Sequence, residues 1–389
     1  MTGDFALTGL TARPAQVWGA VRLVPLVRDE AITDLRLDRR VYGVGDPSIV
    51  DVGDGTFYRS FIPHAFVASW ETGQGPSAAF GTQLQERPAT PRRAKVWLPK
   101  RSLRRMARGV DGTRLRFLPM HLAMEGYLAL HFGGPSIAWE EWTDRAVREG
   151  LSPRTEEAFC GAWVRGLADA LRVFEIHPGQ CGVALYVADA LASVFVVPHP
   201  SDYRALHATV LEDMYGEALF HYANYVDAVP DFVATIAAER VSSIADLRRE
   251  AAGQHDAWGR FHRLMLSGLT GENAYTHQFT YRLGPYELSR FLPSFRLDEE
   301  NHIGERIVHQ DGRLAYCKTF LLSAAQVRRG HLLSRLHEND WDLAATATAL
   351  HTTPSALEHR IRDSGFESLL RHHVVAALER EGRNGRRSH

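Results

Sequence analysis

Residues 183–197 are the most apolar stretch of the chain and constrain its fold more than any other segment. A membrane-spanning helix needs about 20 apolar residues, whereas this run holds fifteen and contains Asp189 and Ser193. Short apolar runs bounded by turn signals read as buried strands. The segment therefore predicts two such strands, 183–187 and 193–197, around a turn near Asp189, and no membrane span. Its length of 389 residues exceeds the roughly 250–300 that one hydrophobic core supports, so at least two domains are expected.

Other segments extend this reading. Residues 17–98 carry short strand patterns at 21–27, 57–62, 65–70 and 94–98, broken by Gly and Pro clusters. From residue 119 the period becomes helical, with helices expected over 120–132, 137–149, 153–174, 201–225, 232–239, 244–251 and 256–266. Strands return at 303–309 and 314–321, where Asp311-Gly312 predicts a tight hairpin turn. Strands and helices that do not alternate strictly imply an α+β fold. The expected organisation is a mixed α+β body over 1–322, β-rich over 17–98 and mixed over 119–322. A small all-α helix-turn-helix unit with a C-terminal helix and basic tail follows over 323–389.

The N-terminus has no basic segment leading into an apolar one, which predicts a cytoplasmic protein. Cys160, Cys181 and Cys317 lie far apart, fitting a reducing compartment with no disulfide framework and no zinc site. Net charge is −1, yet residues 92–116 hold ten Arg or Lys against the single acid Asp111. Arg92, Arg93, Lys95, Lys100, Arg101, Arg104, Arg105 and Arg108 are accordingly candidate anion-binding residues, for a nucleic-acid backbone or a phosphorylated small ligand. A solvated charge run paired with acids elsewhere is the plainer alternative. Asp213, Glu217 and His221 share a helix face and suit either a divalent metal or solvent. His121 and Glu125 form another pair, readable as acid and base or as capping groups. No phosphate-binding loop, nucleophile elbow or dinucleotide fingerprint is present, and neither a cofactor nor a metal is expected.

The C-terminal stretch 332–365 (LLSRLHENDWDLAATATALHTTPSALEHRIRDSG) carries the one motif with a mechanism. A helix over 332–338 is followed by one opened by Trp341-Asp342 and rich in Ala, whose Ala347 allows a close crossing. Thr353 then caps a further helix with Pro354 in its first turn. On that helix Leu357, Ile361 and Ser364 should face inward, turning Ser355, Glu358, His359 and Arg362 outward. Arg362 and His359 suit guanine edges, Glu358 suits cytosine, and Ser355 with Thr353 suit phosphate. His351 stands where many such turns have Gly, and residues 324–389 carry a net charge of only +2.

This stretch resembles the Fis-type helix-turn-helix found at the C-terminus of many bacterial regulators. The preceding region resembles a bacterial domain family named for its association with ADP-ribosylglycohydrolases and rhodanese-phosphatases. That second likeness runs through VRLVPLV (21–27), the stretch 177–219 and HIGERIVHQDGRLAYCKTF (302–320), with Gln180, Gly182 and Asp202 as anchor positions. The resemblances imply a regulator or conflict-system component that binds duplex DNA as a homodimer through its C-terminal unit. Alternatively, they imply an enzyme or accessory protein acting on a nucleotide or ADP-ribose derivative, with the C-terminal helices used for docking or dimerisation. A scaffold without chemistry is the third reading.

Overall fold

The computed structural model describes residues 2–3, 6–37, 165–270, 275–364, 366 and 370, together with 49–51, 57–60, 68–69, 105–108, 115–117 and 120. Its centre is a ten-stranded antiparallel sheet. In chain order its strands are β1 (Thr2–Gly3), β2 (Thr11–Ala12), β3 (Gln16–Trp18), β4 (Val21–Val27), β5 (Gln180–Val187), β6 (Ala190–Val196), β7 (Tyr275–Leu283), β8 (Tyr286–Leu292), β9 (His302–His309) and β10 (Leu314–Leu321). In space they run β1-β7-β8-β9-β10-β6-β5-β4-β2, with β3 also beside β4.

The apolar run 183–197 forms the β5–β6 hairpin, whose turn places Ala188 at φ 50. Gly182 lies where the strands approach closely, since a Cβ there would fall 2.5 Å from the Phe195 carbonyl oxygen. In the β9–β10 hairpin Gly312 adopts φ 91, and the Asp311 carboxylate accepts from Arg313 N at 2.9 Å. β4 is buried along its whole length. Its Arg22 donates to the carbonyls of Ala188 at 2.7 Å and Pro230 at 2.9 Å, tying two loops to the sheet.

Both faces of the central strands are covered, so β4, β5, β6, β8, β9 and β10 contribute to two apolar layers. One layer joins Leu23, Val183, Phe195, Ile303, Ile307 and Phe320 to the helices that follow. The other joins Val24, Ala184, Val194, Tyr275, Phe291 and Cys317, with Leu7 and Leu10 of the N-terminal segment packed against them. That segment is pinned across the sheet: Leu314 N donates to Thr8 O at 3.0 Å, and Arg13 N donates to Pro25 O at 2.9 Å.

Several helical expectations are corrected. The segment 201–225 is not one helix but α1 (Pro200–Thr209), a π turn (Val210–Met214) and α2 (Gly216–Asn224). No helix forms over 232–239; only a 3-10 turn at Ala238–Arg240 is present. Val233 and Ile236 are exposed there, so the segment has no buried face to hold a helix. Conversely, 244–251 and 256–266 merge into the single helix α3 (Ile244–Met265), initiated where Ser243 Oγ accepts from Asp246 N at 3.1 Å. Gly166 at φ 83 separates the short helix Leu167–Ala170 from the residues before it, so 153–174 is not continuous. β7 and β8 occupy residues for which no strand is expected from sequence. The expected strand 57–62 appears as Phe57–Ser60, and 65–70 as Ala68–Ser69. The expected strand 94–98 and the expected helix 137–149 lie outside the described residues, as does the expected helix 120–132 apart from Met120.

Three helices end the described chain: α4 (Ala324–Glu338), α5 (Leu343–Ala349) and α6 (Pro354–Asp363). α4 begins well before residue 332 because Ser323 and Gln326 form a reciprocal capping box. The apolar layer is continuous across residue 322: Val327, Leu332, Leu336, Leu357 and Ile361 belong to the same cluster as Phe195 and Phe320. Gly330 makes this contact close, since a Cβ there would lie 2.2 Å from the Phe295 ring. The whole is a mixed α+β body, and among the described residues no helix is long and apolar enough to cross a membrane.

Candidate functional site

The geometry of α4, α5 and α6 follows from local chemistry. Asp342 caps α5 by accepting from Ala345 N at 2.8 Å, and Thr353 caps α6 by accepting from Ala356 N at 3.2 Å. Between them His351 adopts φ 50, the left-handed conformation that Gly more often supplies and that His tolerates better than most residues. Leu357 and Ile361 are fully buried, while Thr353, Ser355, His359 and Arg362 are exposed and Glu358 is half-buried. Arg362 and Glu358 are joined at 2.5 Å across one helical turn. Ser364 is corrected: it does not face inward but ends the helix, its Oγ donating to Arg360 O at 2.7 Å, and Phe366 takes the buried position.

A second polar constellation lies within the sheet. Glu305 on β9 stands in register with Arg290 on β8 and Lys318 on β10. Tyr316 Oη donates to Glu305 Oε1 at 3.2 Å. Burial pushes the Glu305 carboxyl up to about 8, against the pull of Arg290 and Lys318. A carboxyl so held exchanges a proton near neutrality, the property asked of a general acid or base. Sequence reading missed this row because its members are 13 to 28 residues apart and meet only through strand register; the polar letters inside apolar strands were the available signal.

On the opposite layer, a cleft of 450 Å³ is lined by Asp189, Phe261, Met265, Gly268 and Glu300, among others. His302, fully buried, places Nε2 3.8 Å from Glu300 Oε2. Nearby His262 stacks on Trp258 at 5.1 Å, and burial lowers its pKa to about 4. Both imidazoles are therefore held neutral at pH 7, since burial lowers His302 as well.

Of the basic run, Arg105 and Arg108 lie on the strand Arg105–Arg108 of a separate four-stranded sheet. Arg92, Arg93, Lys95, Lys100, Arg101 and Arg104 lie outside the described residues, as do His121 and Glu125. The stripe of Asp213, Glu217 and His221 is divided between the π turn and α2. No group of three potential metal ligands comes together among the described residues. Gln180, Gly182 and Asp202 have structural settings: Gln180 is buried and its Nε2 donates to Gly182 O at 3.1 Å, and Asp202 is buried in the first turn of α1.

A family model described as ARPP-2 matches residues 5–284, well over half of the chain. The chain belongs to the ARPP-2 family. Residues 21–27 and 177–219, which carry much of the resemblance seen in the sequence, fall within the match; β8 to β10 and the three C-terminal helices lie beyond it. No curated protein and no solved structure matches the chain.

Proposed function

We propose that this ARPP-2 protein is a DNA-binding regulator or conflict-system component of the bacterial cytoplasm, with α5, the 350–353 turn and α6 acting as a Fis-type helix-turn-helix. The observation that carries the reading is α6 itself. Its buried side is apolar and locked by Leu357 and Ile361, while Ser355, His359 and Arg362 form an exposed polar stripe behind a Thr353 cap. A capped helix of this kind fits the major groove. Arg362 and His359 would donate to base edges, Glu358 would brace Arg362 or accept from cytosine, and Thr353 and Ser355 would hold phosphate. One such helix covers half a site, so the active species would be a homodimer. The basic segment 92–116 would add an anion-binding surface for the DNA backbone or a phosphorylated ligand.

Selection of a preferred duplex from a random pool, followed by titration with Arg362→Ala, tests this. The expected loss is about 1–3 kcal/mol at the preferred site, with relaxed selectivity at one position. An affinity unchanged by the substitution removes α6 from the interface. The Arg290–Glu305–Lys318 row, in which Glu305 and Lys318 are buried, favours a second reading, action on a nucleotide or ADP-ribose derivative near the sheet. Turnover of such a compound that Glu305→Gln abolishes would establish it in place of the first.

A further inference from the structure

The 450 Å³ cleft draws its walls from four parts of the fold. Asp189 comes from the β5–β6 turn, Phe261 and Met265 from α3, Gly268 from the short helix Ser267–Thr270, and Glu299 and Glu300 from the β8–β9 connection. We infer that this cleft binds an aliphatic polyamine, a methylene chain carrying spaced ammonium groups. The inference stands apart from the DNA reading, which uses none of these residues.

The lining selects the ligand. Three carboxylates face the cleft and no Arg or Lys lines it, so it draws cations and repels phosphates. Neighbouring guanidiniums offset this only in part. Arg22 reaches Asp189 at 3.3 Å but is shared with Asp231 at 3.7 Å, and the Arg296–Glu299 pair at 2.7 Å is solvent-exposed, where such pairs are weak. The charge is also spread out: no three potential metal ligands converge among the described residues. Separated carboxylates around the apolar walls of Phe261 and Met265 suit a cation whose own charges are spaced by methylenes. The volume falls within the range of small-molecule sites, about 300–1,000 Å³.

Glu300 is the focus of the site. Its Oε2 lies against the backbone of Gly268, where a Cβ would collide with it. On its other side His302 is fully buried and turns Nε2 toward Glu300 Oε2 at 3.8 Å, beyond hydrogen-bonding distance. Neither ring nitrogen of His302 has a hydrogen-bond partner, and a buried polar group in that condition marks strain, catalysis or the place of a bound partner. Burial holds the imidazole neutral, so it does not cancel the Glu300 charge. An ammonium carries three N–H donors, enough to serve the carboxylate and an imidazole lone pair together.

Equilibrium dialysis of the full-length protein against radiolabelled spermidine, without nucleic acid and at about 0.15 M salt, tests this directly. Saturable binding is expected, and an equal concentration of magnesium should not displace it. Glu300→Gln and Asp189→Asn should each weaken it about three- to tenfold, whereas Asp169→Asn, which removes an exposed carboxylate outside the cleft, should leave it unchanged. Gly268→Ala supplies a second route: it displaces the Glu300 carboxylate while keeping every charge, and should also weaken binding in protein whose circular dichroism is unaltered. Absence of saturable binding overturns the proposal. So does displacement by magnesium, affinity retained in Glu300→Gln, or an equal loss in Asp169→Asn, each of which would reduce the effect to a general attraction of cations to an acidic surface.

Discussion

Gly330 sets the attachment of the C-terminal helices to the sheet, and replacing it with alanine separates two opposed effects. Helix propensity alone favours Ala over Gly by about 1 kcal/mol in a helix interior. Sterically, the new Cβ would lie 2.2 Å from both Cδ1 and Cε1 of Phe295 and 2.9 Å from Cζ, where carbon atoms settle at about 3.5–4.0 Å. The ring or the helix must yield by more than about 1 Å. Phe295 has little freedom to do so, being 2% exposed and held at φ 51. Overpacking a closed core costs about 1–3 kcal/mol, and a clash with two ring atoms belongs at the upper end. Gly330→Ala should therefore destabilise by about 1–2 kcal/mol net. Phe295→Ala alone should cost about 3–5 kcal/mol, but in that background Gly330→Ala meets no ring and should gain the propensity term. Urea unfolding followed by circular dichroism of the four proteins yields the coupling, expected at about 2–3 kcal/mol. A stabilising Gly330→Ala in the otherwise unchanged protein, or an equal effect in both backgrounds, would refute the contact as the anchor of α4.

Three further outcomes are expected. Because the folded-state pKa of Glu305 is raised to about 8, the unfolded chain sheds that proton first, and stability should fall as pH rises from the ordinary carboxyl range near 4.3 toward 8. Glu305→Gln should flatten this dependence, as read from thermal midpoints across the window. Cys181 and Cys317 are buried, with Cys181 pushed up to about 11 and Cys317 further still; in a Cys160→Ser protein, no thiol should react with Ellman's reagent until denaturant unfolds the chain. Thr353→Ala removes the α6 cap and should lower stability by about 1 kcal/mol in urea titrations, whereas Ser355→Ala on the exposed face should change it little.

What could be read from sequence was what local chemistry decides. The β9–β10 hairpin followed from Asp311-Gly312, and the start of α6 from Thr353-Pro354, because turns and caps are written in adjacent residues. Leu357 and Ile361 could be placed inside from helical spacing alone. The β7–β8 pair was missed although YTHQFTYRL alternates and Gly284 turns the chain at φ 52, since polar outward positions diluted its apolar pattern. The merger of two expected helices into α3 depended on Gly253, beside which a Cβ meets nothing within 4 Å; as an exposed glycine it weakens the helix without ending it. The Glu305 row is not local either: it needs the register of three strands that the linear pattern does not relate.

The order of the strands also governs when the sheet can form during synthesis. β4, seven residues buried on both faces, pairs with β5, which begins at Gln180, so roughly 150 residues must be added before its principal partner exists. At about 5–20 residues per second this leaves the edge of VRLVPLV that meets β5 without that partner for about 8–30 s. The segment that crosses the sheet waits longer still, because its anchors at Tyr275 and Leu314 are made later. A nascent chain of this protein therefore presents a ready binding site for a holdase chaperone close to its N-terminus, and a ribosome paused before residue 180 should accumulate that complex.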